Sequence, residues 1–298
     1  MKLTLAIPIY KCLHQAKGIL GSLKYMTSDE VEWLIIDNAS NEDVDVFVHK
    51  YLKPKRLNFI KNEKNLGLVE TYQQIYENCQ TEYLSILHDD VFIYEKNWDL
   101  RVVDQFEKMK DLGMIGFFGS QGCGPVGERI QDILRLGQMA GWSNMIEAEI
   151  HGMRMSNEIN PVAIFDGFAL NFRMEMLKKG NGIDQKYKLH HIYDRELGLM
   201  SLSLGYKNVV MNIYCHHQTG LTTGAPVYGD WLNDVLKDDN NIEKGNAGVM
   251  DKYLHDYNTE IFRKKWEYCL PLYVENDFSF RKGQQGYWNF KADAILKK

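Results

Sequence analysis

The stretch Glu82-Tyr83-Leu84-Ser85-Ile86-Leu87-His88-Asp89-Asp90-Val91-Phe92 decides how this chain is read. An apolar run of strand length stops at two adjacent carboxylates, and apolar residues resume at once. A strand covered on both faces of a parallel sheet reads as such a short run. In an open α/β sheet, ligands bind beyond the carboxyl ends of the strands. Two carboxylates brought together out of water repel each other and call for a positive partner. A divalent cation is the simplest one, because Mg²⁺-type sites use one or two carboxylates plus substrate phosphates. Asp89 and Asp90 are therefore expected to hold a metal that in turn holds a diphosphate. The plainer alternative is a polar turn or helix cap after a strand, where Asp is common.

Outward from this stretch, the chain alternates strand and helix. Leu3 to Tyr10 reads as a first strand, which should end or lie at a sheet edge at Pro8, because proline cannot donate to a ladder. Ile19, Leu20, Leu23 and Met26 recur at helical spacing. Glu32 to Ile36 is a second strand, ending in Asp37-Asn38-Ala39-Ser40. Asp43 to Tyr51 reads as a helix, Leu57 to Ile60 as a short strand, Asn65-Leu66-Gly67 as a turn and 68–79 as a helix. Alternation at this spacing over about the first 120 residues predicts an α/β fold, with a mostly parallel central sheet and helices on both faces. The polar ends of these strands should feed one crevice.

The second half carries further signals. Gly122-Cys123-Gly124-Pro125-Val126-Gly127 formally fits a dinucleotide fingerprint, but Pro125 sits in the tight turn and the motif lies mid-chain. A flexible Gly-rich loop near a substrate is the better reading. Residues 128–160 have poor periodicity and read as an insertion, a lid or ordinary surface. Val162 to Phe172 is a strand pair broken at Asp166-Gly167. Tyr193 opens a helix running to about Leu204, with Asp194 at its first turn, where an anion is favoured. A strand from Lys207 to Ile213 runs into Tyr214-Cys215-His216-His217-Gln218-Thr219-Gly220. Two more helices are expected at 229–237 and 246–267.

Composition narrows the function classes. The net charge of −5 leaves no basic footprint for nucleic acid. Five scattered cysteines give neither a disulfide framework nor a zinc ribbon, and they fit a reducing cytosol. The N-terminal apolar run is broken by Pro8 and Lys11, too short for a signal segment. No stretch approaches the roughly 20 apolar residues of a membrane helix. A cytoplasmic protein is expected, at most peripheral at the inner face of a membrane. The aromatic and basic stretch Phe278 to Lys298 could make that contact, although packing over the core is the simpler reading.

The order of parts carries more than any one of them. Pro8-Ile9-Tyr10, Asp37-Asn38-Ala39-Ser40, Asn65-Leu66-Gly67, His88-Asp89-Asp90, Phe165-Asp166-Gly167, Tyr193-Asp194-Arg195-Glu196-Leu197 and His217-Gln218-Thr219-Gly220 together resemble a family 2 glycosyltransferase with the Rossmann-like GT-A fold. The resemblance covers residues 3–220. It implies a glycosyltransferase domain over 1–225, with a nucleotide-binding half at 1–120 and an acceptor half at 121–225, and a helical extension over 226–298 packed on it. It further implies an inverting, hexosyltransferase-type enzyme using a nucleotide diphosphate sugar of UDP, GDP or dTDP type. The acceptor would be a hydroxyl of a saccharide or lipid-linked saccharide, in cell-surface polysaccharide or glycoconjugate synthesis.

By the same resemblance, Pro8, Ile9, Tyr10, Asp37 and Asn65 clasp the nucleotide, and Asp89 touches the donor. Asp90 binds the metal, completed by His217, with His216 as runner-up. A histidine ligand favours Mn²⁺ over Mg²⁺. Asp194 would be the catalytic base, with Glu196 as alternative. Asp166, Gly167 and Glu196 would line the donor and acceptor sugars. Two positions depart from the family pattern: His88 stands where an acid is usual, and Tyr193 where many members have Glu. The competing readings are a nucleotidyltransferase and a non-catalytic nucleotide-sugar binding domain. The first lacks its usual Gly-rich basic loop, since Ile7-Pro8-Ile9-Tyr10 has no Gly.

Overall fold

Every residue of the strand Leu3–Ile9 is buried, and successive side chains face opposite sides of the sheet. Leu3, Leu5, Ile7 and Ile9 share one core with Leu13, Ala16, Leu20 and Leu23 of the helix Leu13–Met26. Ala6 turns to the opposite core, with Val69, Tyr72 and Ile75 of the helix Gly67–Asn78. The neighbouring strand Val31–Asp37 divides the same way, with Trp33 and Ile35 on the first side and Leu34 and Ile36 on the second. A strand apolar on both faces needs helices on both faces, and this one has them.

The computed structural model describes residues 1–11, 13–130, 141–145, 153–218, 226–236 and 246–282. Its main sheet runs in the order Ile159–Pro161, Lys207–Met211, Leu112–Gly116, Ala169–Arg173, Tyr83–Leu87, Leu3–Ile9, Val31–Asp37, Leu57–Lys61. From Tyr83–Leu87 to Leu57–Lys61 all pairings are parallel. Ala169–Arg173 enters antiparallel between Tyr83–Leu87 and Leu112–Gly116, and Ile159–Pro161 pairs antiparallel at the far edge. Helices cover both faces, as the alternation predicts.

Three expectations change. The strand at Pro8 is central and continues to Ile9, not ending at the proline. Its pairing with Tyr83–Leu87 stops at Ala6, so no partner on that side asks for the missing N–H. The expected helix at 43–51 is a short α-turn, Val44–Val46, running into a π-helical turn at Phe47–Leu52. The Gly-rich segment is paired, not a loose loop. Gly122–Cys123 bonds to Arg129–Ile130 on one side and to Leu272–Tyr273 on the other. Much of the 128–160 segment lies outside the described residues.

The C-terminal helices Pro226–Val235 and Ala247–Trp266 pack through Tyr228, Leu232, Met250 and Leu254. Phe262 and Trp266 of the second helix enter the main core. This segment is not purely helical, because it also adds the strands Leu272–Val274 and Phe280–Lys282. Residues 283–298, most of the aromatic and basic tail, lie outside the described residues. Among the described residues, no helix is long and apolar enough to cross a membrane.

Candidate active site

The strand Tyr83–Leu87 hands over to His88, whose backbone N–H donates to the Phe168 carbonyl at 2.9 Å. After the turn at Asp89-Asp90, Val91–Ile93 pairs antiparallel with Cys215–His217, with His217 opposite Val91. The Gln218 N–H then donates to the Asp90 carbonyl at 3.0 Å. This pairing brings a histidine more than a hundred residues away onto the acidic turn. His217 Nε2 stands 3.2 Å from Asp90 Oδ1. Phe168 stacks on the His217 ring, with centroids 4.7 Å apart, and fixes its plane.

His88, Asp90 and His217 form a trio whose ligand atoms all lie within 4.8 Å of one another. His88 Nε2 and Asp90 Oδ1 are buried and make no hydrogen bond among the described residues. Asp90 Oδ1 therefore meets His217 Nε2 in a close contact and keeps its own lone pairs open to a cation. Burial pushes the His88 imidazole below its usual pKa, with Asp90 pulling the other way. A neutral ring keeps the lone pair that a metal needs. Two imidazoles and a carboxylate suit Mn²⁺ better than the harder Mg²⁺. His216 projects to the other face of its strand and stacks near Phe92, so His217 is the better placed of the pair. His88 was missed as a ligand, although a histidine abutting two acids at a strand end is itself the signal.

The trio opens into a cleft of about 280 Å³. Pro8, Ile9, Tyr10, Asn65, Asp89, Asp90 and His217 all line it. Asn38 and Gly67, read in the sequence only as motif members, line it too, as do Leu68, His190, Tyr228 and Trp231, which sequence reading did not single out. Asn38 ties the wall together. Its Oδ1 accepts from Asn62 Nδ2 and the Leu66 N–H, and its Nδ2 donates to Asn65 Oδ1 at 2.8 Å. Gly67 needs its φ of +74°, and a Cβ there would meet the Leu189 backbone at 2.9 Å. Asp37 is wholly buried and off the lining. Its Oδ1 accepts from the Ser40 N–H and hydroxyl, and its Oδ2 makes no hydrogen bond among the described residues.

A second acidic centre lies behind the cleft lining. Asp166 Oδ2 accepts from Arg129 at 2.6 Å, and Asp194 Oδ2 stands 3.9 Å from the same guanidinium nitrogen. Burial pushes both carboxyls upward. At Asp166 this is outweighed by Arg129 and by the His217 and His88 rings, so its pKa is lowered. At Asp194 burial prevails, helped by the Asp166 charge and opposed by Arg195 and Arg129, so its pKa is raised. Neighbouring carboxyls driven apart in pKa mark separate acid–base roles. Gly167 is pinned by its neighbours: its carbonyl accepts from the Tyr72 hydroxyl at 3.1 Å, and a Cβ would meet Tyr193 Oη at 2.2 Å. Glu196 points elsewhere. Its buried carboxylate accepts from Tyr187, Lys265 and Trp266, which leaves it in a structural network. Arg129 was also missed; it lies 37 residues from Asp166 in a stretch without periodicity.

The chain matches the family model described as Glycosyl transferase family 2 over residues 4–178. No curated protein matches it in sequence. Among solved structures it is similar to GalNAc-T7 with UDP, GalNAc and Mn²⁺, at 12% identity and TM-score 0.58, covering 90% of this chain and 57% of that one. It is similar to the mannosyltransferase PcManGT from Pyrobaculum calidifontis in complex with GDP-Man and Mn²⁺, at 13% identity and TM-score 0.52, covering 90% and 75%. It is also similar to S. aureus TarS 1–349 in complex with UDP-GlcNAc, at 15% identity and TM-score 0.51, covering 86% and 71%. The chain thus spans little more than half of the GalNAc-T7 chain. Likeness at these identities establishes the GT-A fold, and the match over residues 4–178 carries the family. The chain belongs to glycosyl transferase family 2.

Proposed function

We propose that the chain is a metal-dependent, inverting glycosyltransferase of hexosyltransferase type. It moves a sugar from a nucleoside diphosphate sugar to a hydroxyl of a saccharide or lipid-linked saccharide, in surface polysaccharide or glycoconjugate assembly at or near the cytoplasmic face of a membrane. The observation that carries this reading is the opposed pair Asp166 and Asp194 beside a trio with orphaned, converging ligand atoms.

The donor set of His88, Asp90 and His217 fits a divalent ion such as Mn²⁺ or Mg²⁺, with Asp89 beside it. When bound, such an ion neutralises charge developing on the leaving diphosphate. Pro8, Ile9, Tyr10, Asn38 and Asn65 form the nucleotide wall in the 1–120 half, with Asp37 backing them from the core, its Oδ2 3.8 Å from the Lys61 ammonium. Asp166, held ionised beside Arg129, and the fixed Gly167 carbonyl offer acceptors to sugar hydroxyls. Asp194 takes the acceptor proton as the acceptor oxygen bonds to the anomeric carbon. The bond from that carbon to the diphosphate oxygen breaks, and its electron pair leaves with the nucleoside diphosphate. Attack opposite the leaving group inverts the centre, as in inverting glycosidases with a sugar hydroxyl in place of water.

The test is release of nucleoside diphosphate from UDP-, GDP- and dTDP-sugars with Mn²⁺, with and without a saccharide acceptor panel. Turnover that survives full removal of divalent ions overturns the metal reading. Pyrophosphate release from a nucleoside triphosphate and a sugar phosphate would point to a nucleotidyltransferase. Binding without turnover of any donor would point to a binding domain.

A further inference from the structure

The loop Lys188–Ile192 runs from the cleft lining to the helix that carries Asp194, and its backbone is unusual. Leu189, His191 and Ile192 all have positive φ, at 53°, 68° and 66°. None is glycine, and a β-branched residue there is a genuine outlier. Such a loop persists only where its surroundings over-determine it. Its surroundings face both ways. The Leu189 carbonyl accepts from the Val69 N–H at 3.0 Å and lies against Gly67 at the cleft, which His190 also lines. Ile192 is the N-cap of the helix Tyr193–Ser203, whose first turn carries Asp194.

The groups that hold this loop come from the C-terminal helix Ala247–Trp266. Its buried stripe is Met250, Leu254, Asn258, Phe262 and Trp266. Asn258 is a fully buried amide in an otherwise apolar stripe, and a buried polar group there needs a specific partner. It has four. Oδ1 accepts from the Lys188 N–H at 2.9 Å, and Nδ2 donates to the carbonyls of Lys188, His190 and His191. Two turns earlier, Asp251 Oδ1 accepts from His190 Nε2 at 3.0 Å, from His191 Nε2 at 2.9 Å and from the Tyr228 hydroxyl. His190, His191 and Asp251 could also be taken for a metal site. Yet Tyr228 Oη and His190 Nε2 are 2.6 Å apart. That separation is ordinary for a hydrogen bond, so Asp251, both rings and Tyr228 already satisfy one another as a hydrogen-bonded cluster.

We infer that Asn258 and Asp251 are positioning residues for sugar transfer. From the C-terminal helix they lock the left-handed loop, and through it they set the first turn that carries Asp194. The inference rests on the reading of Asp194 as base.

The full-length chain tests it with Asn258→Ala and the milder Asp251→Asn, using UDP-, GDP- or dTDP-sugar turnover and binding of the matching diphosphate with Mn²⁺. Misplacement of the base by about an ångström costs on the order of 10²-fold in rate. The expected result is a kcat fall of about 10- to 100-fold in both variants, diphosphate Kd within about threefold of wild type, and faster hydrogen exchange confined to 186–196. Wild-type kcat in Asp251→Asn, or loss of activity that only tracks the unfolded fraction by circular dichroism, overturns it. If Asn258→Ala does not fold, Asp251→Asn decides alone. Raised exchange that spreads through the sheet, or an Asp251→Asn defect reproduced in wild type by a chelator and reversed by Zn²⁺, also overturns it. Failure of the underlying reading looks different: full activity in Asp194→Asn.

Discussion

The two acidic centres of this molecule are built from the same side chain and solve opposite problems. At His88, Asp90 and His217, candidate ligand atoms come together, and His88 Nε2 and Asp90 Oδ1 have no hydrogen-bond partner among the described residues. At Asp166 and Asp194, a guanidinium already stands between the carboxylates. The first centre needs charge from outside, and the second rations charge it already has. Burial is costly to both, because a desolvated carboxylate prefers to be neutral. Only the second turns that cost into a difference between neighbours: Asp166 is anchored as an anion while Asp194 is left readier to hold a proton.

The comparison breaks most severely if the first centre does not need its ion. Asp90→Asn should abolish the Mn²⁺-dependent thermal shift given by nucleoside diphosphate, and transfer should fall by about 10³-fold or more, since ion stabilisation of a leaving group is worth several kcal/mol. Saturating ligand at about 100 times Kd stabilises the wild type by about 2.7 kcal/mol, so its disappearance is readily measured. Asp194→Asn should keep that shift and lose about 10²–10⁴-fold in kcat, the usual share of a general base. An active Asp194→Asn beside an inactive Glu196→Gln would move the base.

Smaller effects sharpen the contrast. Asp194 has a raised folded pKa, so the folded state holds that proton more tightly than the unfolded chain does. Its stability contribution is therefore present at low pH and lost as pH rises through the folded value. Asp194→Asn should accordingly melt higher than wild type at neutral pH, with the gap closing on acidification. Arg129→Gln removes a cation that lowers both carboxyls. The acidic limb of the rate profile should then move to higher pH, with a loss of about tenfold at neutral pH, within the range general-base effects allow. Equal melting of Asp194→Asn and wild type at every pH would sink the proton-rationing account. The smallest effect is expected for His216→Ala, which should leave the Mn²⁺ response intact, whereas His217→Ala should weaken it strongly.

Much of this was legible in the chain itself. The strands at 3–9, 31–37 and 83–87 announce themselves because burial on both faces demands unbroken apolar runs. That Asp90 and His217 should come together followed from the order of motifs along the chain. What stayed hidden depends on contacts the chain makes far from itself. His88 was read as a missing acid, when two imidazoles meeting at Asp90 require the strand 215–217 to fold back. Arg129 has no local pattern, and its meaning comes from Asp166. Pro8 misled because its edge rule concerns one side of a strand, and only the sheet order tells which side is vacant. Trp231 and His190 reach the cleft through the packing of the C-terminal helices, which periodicity does not foresee.

The short ribbon Gly122–Cys123 has one further consequence. It is flanked on one side by the strand that carries Arg129 and on the other by Leu272–Tyr273. A chain cut just after Trp266 would retain every acid and imidazole named above, yet strip one flank from the arm that carries the guanidinium. On the proposed reading such a truncate should still capture nucleotide while its proton transfer drifts, which would make the strand Leu272–Val274 a distant brace for Asp194.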